Sequence, residues 1–181
     1  MGAVDELRGT FPDPARDIKL NVEAVLQPGL LSAAQRWGVA VATAIAARNP
    51  QLRDAVIADA RKEVDEAVID DAMAAAVLMA MNNIYYRFRH MSGKPAYQEK
   101  PARLRMQRIA KPATNKTDFE LFCLAVSAVN GCEQCIQSHE RVVLQGGVTE
   151  DQVNDAIRIA STMHAAAVAM ELGVASASAI A

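Results

Sequence analysis

Residues 66–91 read EAVIDDAMAAAVLMAMNNIYYRFRHM, the longest helical run in the chain. Its middle, Ala72 to Met81, is apolar in every direction around a helix axis, and a helix without a polar face belongs inside a bundle. The pattern predicts a long, central, buried helix that opens after Asp65 and stops at Ser92-Gly93-Lys94-Pro95. Composition agrees: alanine dominates, methionine is frequent at 8 residues, and aromatics make up 4%. Strands draw on β-branched and aromatic side chains, whereas closely packed helices draw on alanine. The expectation is an all-α fold.

Working outward, Asp13-Pro14 marks a helix start, because proline is preset for the first helical position. Ile18, Val22, Ala24 and Leu26 carry its apolar stripe as far as Pro28-Gly29. Ser32 caps a second helix through Trp37, Val39, Val41, Ile45 and Ala46, and Asn49-Pro50 closes it, since the residue before proline avoids α geometry. A short helix is expected over 51–61. Residues 94–117 are rich in Lys, Arg and Pro and form the longest linker, with a short helix around 104–109. The helical pattern resumes over 118–129, breaks at Asn130-Gly131 and runs again over 132–144. Thr149 with Gln152 matches a capping box that opens a last helix ending near Gly173, followed by a frayed tail. One internal echo links AMNNIYYRFRH (80–90) to AVNGCEQCIQSH (128–139): both follow an Ala-rich helix and share A-x-N, as two related helical halves would. At 181 residues the chain fits one domain that buries about two thirds of its unfolded surface, with the active-site half at about 117–173.

The formal charge of -2 and the lack of basic stretches interleaved with aromatics suggest neither a nucleic-acid groove nor binding to an anionic membrane surface. The N-terminus has neither the basic flank nor the apolar core of a signal peptide, and no apolar run reaches bilayer length, so a cytoplasmic location is expected. Glu6 stands where an N-myristoylation signal requires Ser or Thr. Gly-rich phosphate loops and Ser-His-Asp signatures are absent, which leaves nucleotide and hydrolase chemistry unsupported.

The chemistry gathers in NGCEQCIQSHER, residues 130–141. If the segment after Gly131 is helical, Cys132 and Cys135 are i,i+3 neighbours and Cys135 and His139 are i,i+4 neighbours on one face. Cys132 then sits in the first turn, where free backbone N–H groups favour a thiolate, and His139 can pair with Cys135. Three readings compete. A structural zinc site lacks a fourth ligand and a second C-x-x-C or H-x-x-x-H pair. A purely structural role suits Cys123, inside LFCLAV, better than it suits a pair flanked by Glu133, Gln134 and Gln137. A redox dithiol is favoured, because close cysteine pairs in a reducing compartment are more often catalytic or redox-sensing than structural.

A dithiol that reduces peroxide needs more than an acidic thiol. Lowering a thiol pKa from about 8.5 to about 6.5 raises the thiolate fraction at pH 7 roughly 25-fold, while nucleophilicity falls roughly 8-fold. The net gain is only about threefold. The larger factor, about 10² to 10⁴, comes from protonating the leaving alkoxide, which calls for His139 and a carboxyl to poise it. Glu120, in TDFELFCLAV, is the nearest upstream carboxylate on the preceding apolar helix, and Phe119, Leu121 and Phe122 around it favour burial. A solvated helix-start role for Glu120 is the alternative.

Glu120, eleven intervening residues, Cys132-x-x-Cys135, three residues and His139 together resemble the active-site signature of the alkylhydroperoxidase D family, within the carboxymuconolactone decarboxylase-like superfamily. RDIKLN (16–21), the Trp37 helix, ARNP (47–50), MNNIYYR (81–87) and FELFCLAVSAVNGC (119–132) extend the resemblance over nearly the whole chain. It implies an all-helical homotrimer without a bound cofactor or metal. The implied activity reduces organic hydroperoxides and relays electrons from dihydrolipoamide on a lipoyl-bearing protein to a partner peroxiredoxin, alkylhydroperoxidase C. By position, Cys135 would be the peroxidatic cysteine, Cys132 the resolving one, and His139 with Glu120 the proton relay. The family often has histidine just before the second cysteine; here that residue is Gln134, which cannot shuttle a proton at neutral pH. Decarboxylation of carboxymuconolactone, the other enzyme class of the superfamily, uses no C-x-x-C pair. A redox-sensing or zinc-binding helical module is the non-enzymatic alternative.

Among the remaining residues, His164 is expected to be a packing histidine. Tyr85 to Arg89 could line a subunit contact or dock the lipoyl-bearing partner, or simply end an amphipathic helix. Met73, Met79 and Met81 read as core filler.

Overall fold

The computed structural model describes residues 2–178, and among these the secondary structure is entirely helical. In chain order the helices are α1 (Ala3–Gly9), α2 (Arg16–Val25, entered through a 3₁₀ turn at Asp13–Ala15), α3 (Ala33–Ala46), α4 (Pro50–Ala60) and α5 (Glu66–Ser92). Two single turns, α6 (Pro95–Gln98) and α7 (Gln107–Ala110), interrupt the linker before α8 (Lys116–Val129), α9 (Glu133–Gln145) and α10 (Glu150–Ser178). The all-α expectation holds.

Local chemistry sets most boundaries as the sequence indicates. Ser32 Oγ accepts from the Gln35 N–H and Gln35 Oε1 accepts from the Ser32 N–H, both at 3.1 Å, a reciprocal cap on α3. Asn49 Oδ1 takes the Leu52 N–H at 3.0 Å with Pro50 at the first position of α4. Thr149 and Gln152 close the same kind of box at the start of α10. The last helix runs past Gly173 to Ser178, correcting the earlier stop, because glycine in a long, otherwise favourable helix lowers stability without ending it. Of the tail expected to fray, residues 179–181 lie outside the described residues.

The core is built on α3 and α8. α3 packs against α4, α5, α8 and α10, and α8 against α5, α9 and α10. Gly38 is what lets α3 and α8 meet: a Cβ there would lie 2.1 Å from Phe122 Cζ, inside the ring. Phe119, Leu121, Phe122 and Leu124 of α8 are all buried, as are Val39 and Val41 of α3 and Leu52 of α4.

α5 departs from its predicted burial. Ile69, Ala72, Ala75 and Met79 are buried, but Val77, Ile84, Phe88 and Met91 lie 52–76% exposed along the opposite side. A sequence apolar all round a helix says nothing about which side is covered, and here α3, α8 and α9 cover one. By length and composition alone this helix could also cross a bilayer, which the reading of the apolar runs had excluded; half of its most apolar window is buried within the bundle.

The linker is held by one carboxylate. Asp71, fully buried on α5, accepts from the Ala113 and Thr114 N–H groups at 2.8 Å each, from the Thr114 hydroxyl at 2.7 Å and from Arg108 Nη2 at 2.9 Å. Burial by itself would raise the Asp71 pKa, but these donors outweigh it and hold the carboxyl below its ordinary 3.8. A carboxyl with a depressed folded pKa contributes stability above its unfolded value, and that contribution is lost as pH falls through the folded pKa. Asp71→Ala should therefore destabilise the fold at pH 7 by about 3–5 kcal/mol in chemical denaturation. The difference between the two proteins should shrink below about pH 4 as the native carboxyl protonates.

Candidate active site

Asn130 and Gly131 end α8, and Gly131 adopts φ +64, a left-handed turn that glycine enters without strain. The turn brings Cys132 to the cap of α9 rather than into its first turn as expected. Cys132 and Cys135 are disulfide-bonded, with Cα atoms 5.3 Å apart, so the pair is present in its oxidised form. Cys132 is fully buried and Cys135 is 6% exposed, so the second cysteine is the one nearer the surface.

One turn further along α9, His139 meets α8. Its Nδ1 lies 2.5 Å from Glu120 Oε2, and both side chains are largely buried. Glu120 is 5% exposed, which removes the solvated helix-start alternative. The expected poising of His139 by Glu120 is this contact. With Nδ1 committed, Nε2 is the ring nitrogen left to exchange a proton elsewhere. The four residues singled out by spacing thus form one unit across the α8–α9 contact. Cys123 on the same helix is a fully buried free thiol. Burial pushes its pKa well up, and the nearby Glu120 and Asp71 charges add to this, so it stays protonated and inert.

Beside this unit lies a pocket of about 370 Å³. Cys135, Glu120, His139, Ser138 and Gln134 form one wall. Val142 of α9 extends that wall, and the rest of the lining comes from residues the motif does not contain: Asn82 and Tyr86 of α5 and Met106 and Ile109 of the linker. Asn82 is 4% exposed and its Oδ1 has no partner among the described residues. Its neighbour Asn83 behaves differently, donating to Ser127 Oγ and accepting from Asn130 Nδ2 at 2.9 Å each. The segments 80–90 and 128–139 therefore lie against one another, and Arg87 also donates to the Asn130 carbonyl. The signal that could have found Asn82 was its polar side chain at the end of an apolar helix face.

Other expectations fare differently. His164 is exposed and does not pack. His90 lies 3.4 Å from Glu133, an exposed pair. Of the three methionines read as core filler, Met79 is fully buried and Met73 and Met81 partly so. Phe88 packs edge-on against Tyr97 at 5.1 Å, and Arg89 stacks over the Tyr85 and Tyr86 rings at 5.6 and 5.9 Å.

Comparison with known proteins points the same way. Residues 95–176, which contain Glu120, both site cysteines and His139, match the carboxymuconolactone decarboxylase family. The chain is 70% identical over 172 residues to alkyl hydroperoxide reductase AhpD of Anaeromyxobacter dehalogenans (strain 2CP-C), covering 95% of this chain and 92% of that protein. It is 52% identical over 169 residues to the AhpD of Solibacter usitatus (strain Ellin6076), covering 93% and 96%. The AhpD of Brucella suis (strain ATCC 23445 / NCTC 10510) is 44% identical over 169 residues, covering 93% and 97%. A cysteine pair next to a histidine–glutamate couple, on a chain this similar to these proteins from end to end, belongs to the AhpD family of alkyl hydroperoxide reductases.

Proposed function

We propose that this protein is a thiol-dependent alkyl hydroperoxide reductase that uses Cys135 and Cys132 as its redox pair. The observation that carries the reading is the bonded cysteine pair set one helical turn from a buried His139–Glu120 couple, at the edge of a pocket. In the reduced protein the Cys135 thiolate attacks the terminal oxygen of an organic hydroperoxide. The O–O bond breaks, Cys135 becomes a sulfenic acid, and the alkoxide leaves. His139, oriented and charge-balanced by Glu120, delivers the proton that converts the alkoxide to an alcohol. The Cys132 thiol then attacks the sulfenic sulfur, releasing water and forming the disulfide. Two electrons from dihydrolipoamide reopen it.

That Cys135 lines the pocket while Cys132 is fully buried and does not supports assigning the attack to Cys135 and the resolving role to Cys132. Asn82 serves this reaction by accepting the hydroperoxide O–H on its unpartnered Oδ1. Asn82→Ala should raise KM for hydroperoxide about tenfold while leaving reduction of the disulfide by dithiol unchanged. The lipoyl-bearing protein is the electron donor in this reading, a peroxiredoxin of the alkylhydroperoxidase C type a second acceptor, and a cytoplasmic homotrimer the working form. No bound cofactor is needed for the electrons to balance.

The test is hydroperoxide consumption driven by dihydrolipoamide, with the alcohol product measured alongside reduction of the disulfide. Turnover of cumene hydroperoxide at equal rates of alcohol formation and dithiol oxidation supports the enzyme. Disulfide reduction without alcohol formation would leave only an electron relay or sensor. Gln134, exposed at the pocket wall, leaves the relay one proton carrier short. Gln134→His should raise peroxide turnover by about tenfold with little change in disulfide exchange. Equal turnover in the two proteins would remove that position from the relay.

A further inference from the structure

A second cleft, lined by residues of α1, α2, α3 and α4, is chemically different from the pocket of Cys135. Arg36, in the first turn of α3, is 7% exposed and pairs with no carboxylate among the described residues. Its guanidinium makes one weak hydrogen bond, Nη1 to the Leu31 carbonyl at 3.5 Å, and its Nε is buried without a partner. Next to it Trp37, 8% exposed, holds its indole Nε1–H without a partner. A charge taken out of water and left unpaired is among the least favourable placements in a protein, and an orphaned indole N–H adds to it. Neither residue touches the pocket of Cys135.

Both residues line this cleft of about 440 Å³, bordered by α1, α2 and α4, a volume within the range of small-molecule sites. Val4, Val22 and Leu26 give it an apolar wall. The other cations facing it are already occupied: Arg8 bonds Asp5 at 2.9 Å and Glu23 at 3.0 Å, and Lys62 bonds Asp59 at 2.7 Å. Arg36 is the cation left over. Four carboxylates, Asp5, Glu23, Asp59 and Glu63, line the same cleft and repel a polyanion such as a phosphate dianion.

From this we infer that the cleft binds a small organic monocarboxylate. Its carboxylate takes the Arg36 guanidinium and the Trp37 indole N–H, and its hydrocarbon part lies along Val22 and Leu26. One negative charge neutralises the buried cation without meeting a second penalty from the acidic rim, and one acceptor pair satisfies both orphaned donors. This site goes beyond the peroxide chemistry and does not depend on it.

Trp37 is the single tryptophan of the chain, so its indole N–H resonance and its fluorescence report on this cleft alone. The full-length protein is titrated with cyclohexanecarboxylate at constant ionic strength, with chloride as the balancing anion. Native protein should show a saturable shift of the indole signal. Arg36→Met, which keeps the aliphatic contacts, should weaken binding at least about tenfold, and cyclohexane-1,2-dicarboxylate should bind native protein about tenfold more weakly than the monoacid. Gln27→Glu, at an exposed position on the rim, should weaken binding about threefold and carries the test alone if Arg36→Met does not fold in thermal unfolding. No saturable shift, an equal shift with chloride, or equal affinity in the variants overturns the inference. So does dissociation of the native assembly by Arg36→Met, which would assign the guanidinium to an acidic side chain of a second copy.

Discussion

Replacing Cys132 with serine should stop steady-state hydroperoxide turnover, by at least about 10³-fold, while leaving a single round of peroxide reduction intact. The reason lies in the division of labour proposed for the two sulfurs. Cys135 faces the pocket with His139 and can attack peroxide once without its partner. The sulfenic acid then lacks its resolving partner, and Cys123, the remaining cysteine, is a free thiol buried in the core. Dimedone labelling followed by peptide mass spectrometry should place the adduct on Cys135 in Cys132→Ser. Cys135→Ser should show neither turnover nor adduct. A sulfenic adduct on Cys132 in Cys135→Ser, with one alcohol formed per chain, would reverse the assignment.

The second large effect concerns the proton. Glu120→Gln keeps the shape of the buried side chain and a hydrogen-bonding oxygen at the position 2.5 Å from His139 Nδ1, but removes the charge. An imidazole that donates a proton and is then recharged needs an anion beside it, and in a buried site water supplies little of that stabilisation. Peroxide reduction should fall by about 10²- to 10⁴-fold, the range of general acid catalysis. Reduction of the disulfide by dihydrolipoamide should change by less than about threefold, because a thiolate leaving group needs no strong acid. Stopped-flow measurement of the two half-reactions separates them. A parallel loss in both would give Glu120 a structural role in holding α8 to α9 rather than a place in the proton path.

α3 and α8 meet through Gly38 and bury aromatic rings, so the carboxylates that do enter the interior, Glu120 and Asp71, are each satisfied by a specific partner. Asp59 is a third case. It accepts from the Ala3 and Val4 N–H groups at 3.0 and 2.8 Å and from Lys62 at 2.7 Å. Burial alone would raise its pKa, yet these contacts hold it below 3.8.

What the sequence by itself determined about this protein is what depends on near neighbours. Helix class, the caps at Ser32, Asn49 and Thr149, the break at Asn130-Gly131 and the spacing of Glu120, Cys132, Cys135 and His139 are all consequences of contacts within a few residues or of helical period. Tertiary structure alone decided the rest. α1 has only seven residues, too few to be stable in isolation, and its free N–H groups find Asp59 across more than fifty positions of chain. The uncovered side of α5 could not be read from a run apolar in every direction, because coverage depends on where α3, α8 and α9 come to rest. The second wall of the pocket joins Asn82 and Tyr86 of α5 to Met106 and Ile109 of a linker that Asp71 ties back onto α5 through Arg108, Ala113 and Thr114, residues far apart in the chain. Periodicity specifies a face, and packing decides what that face meets.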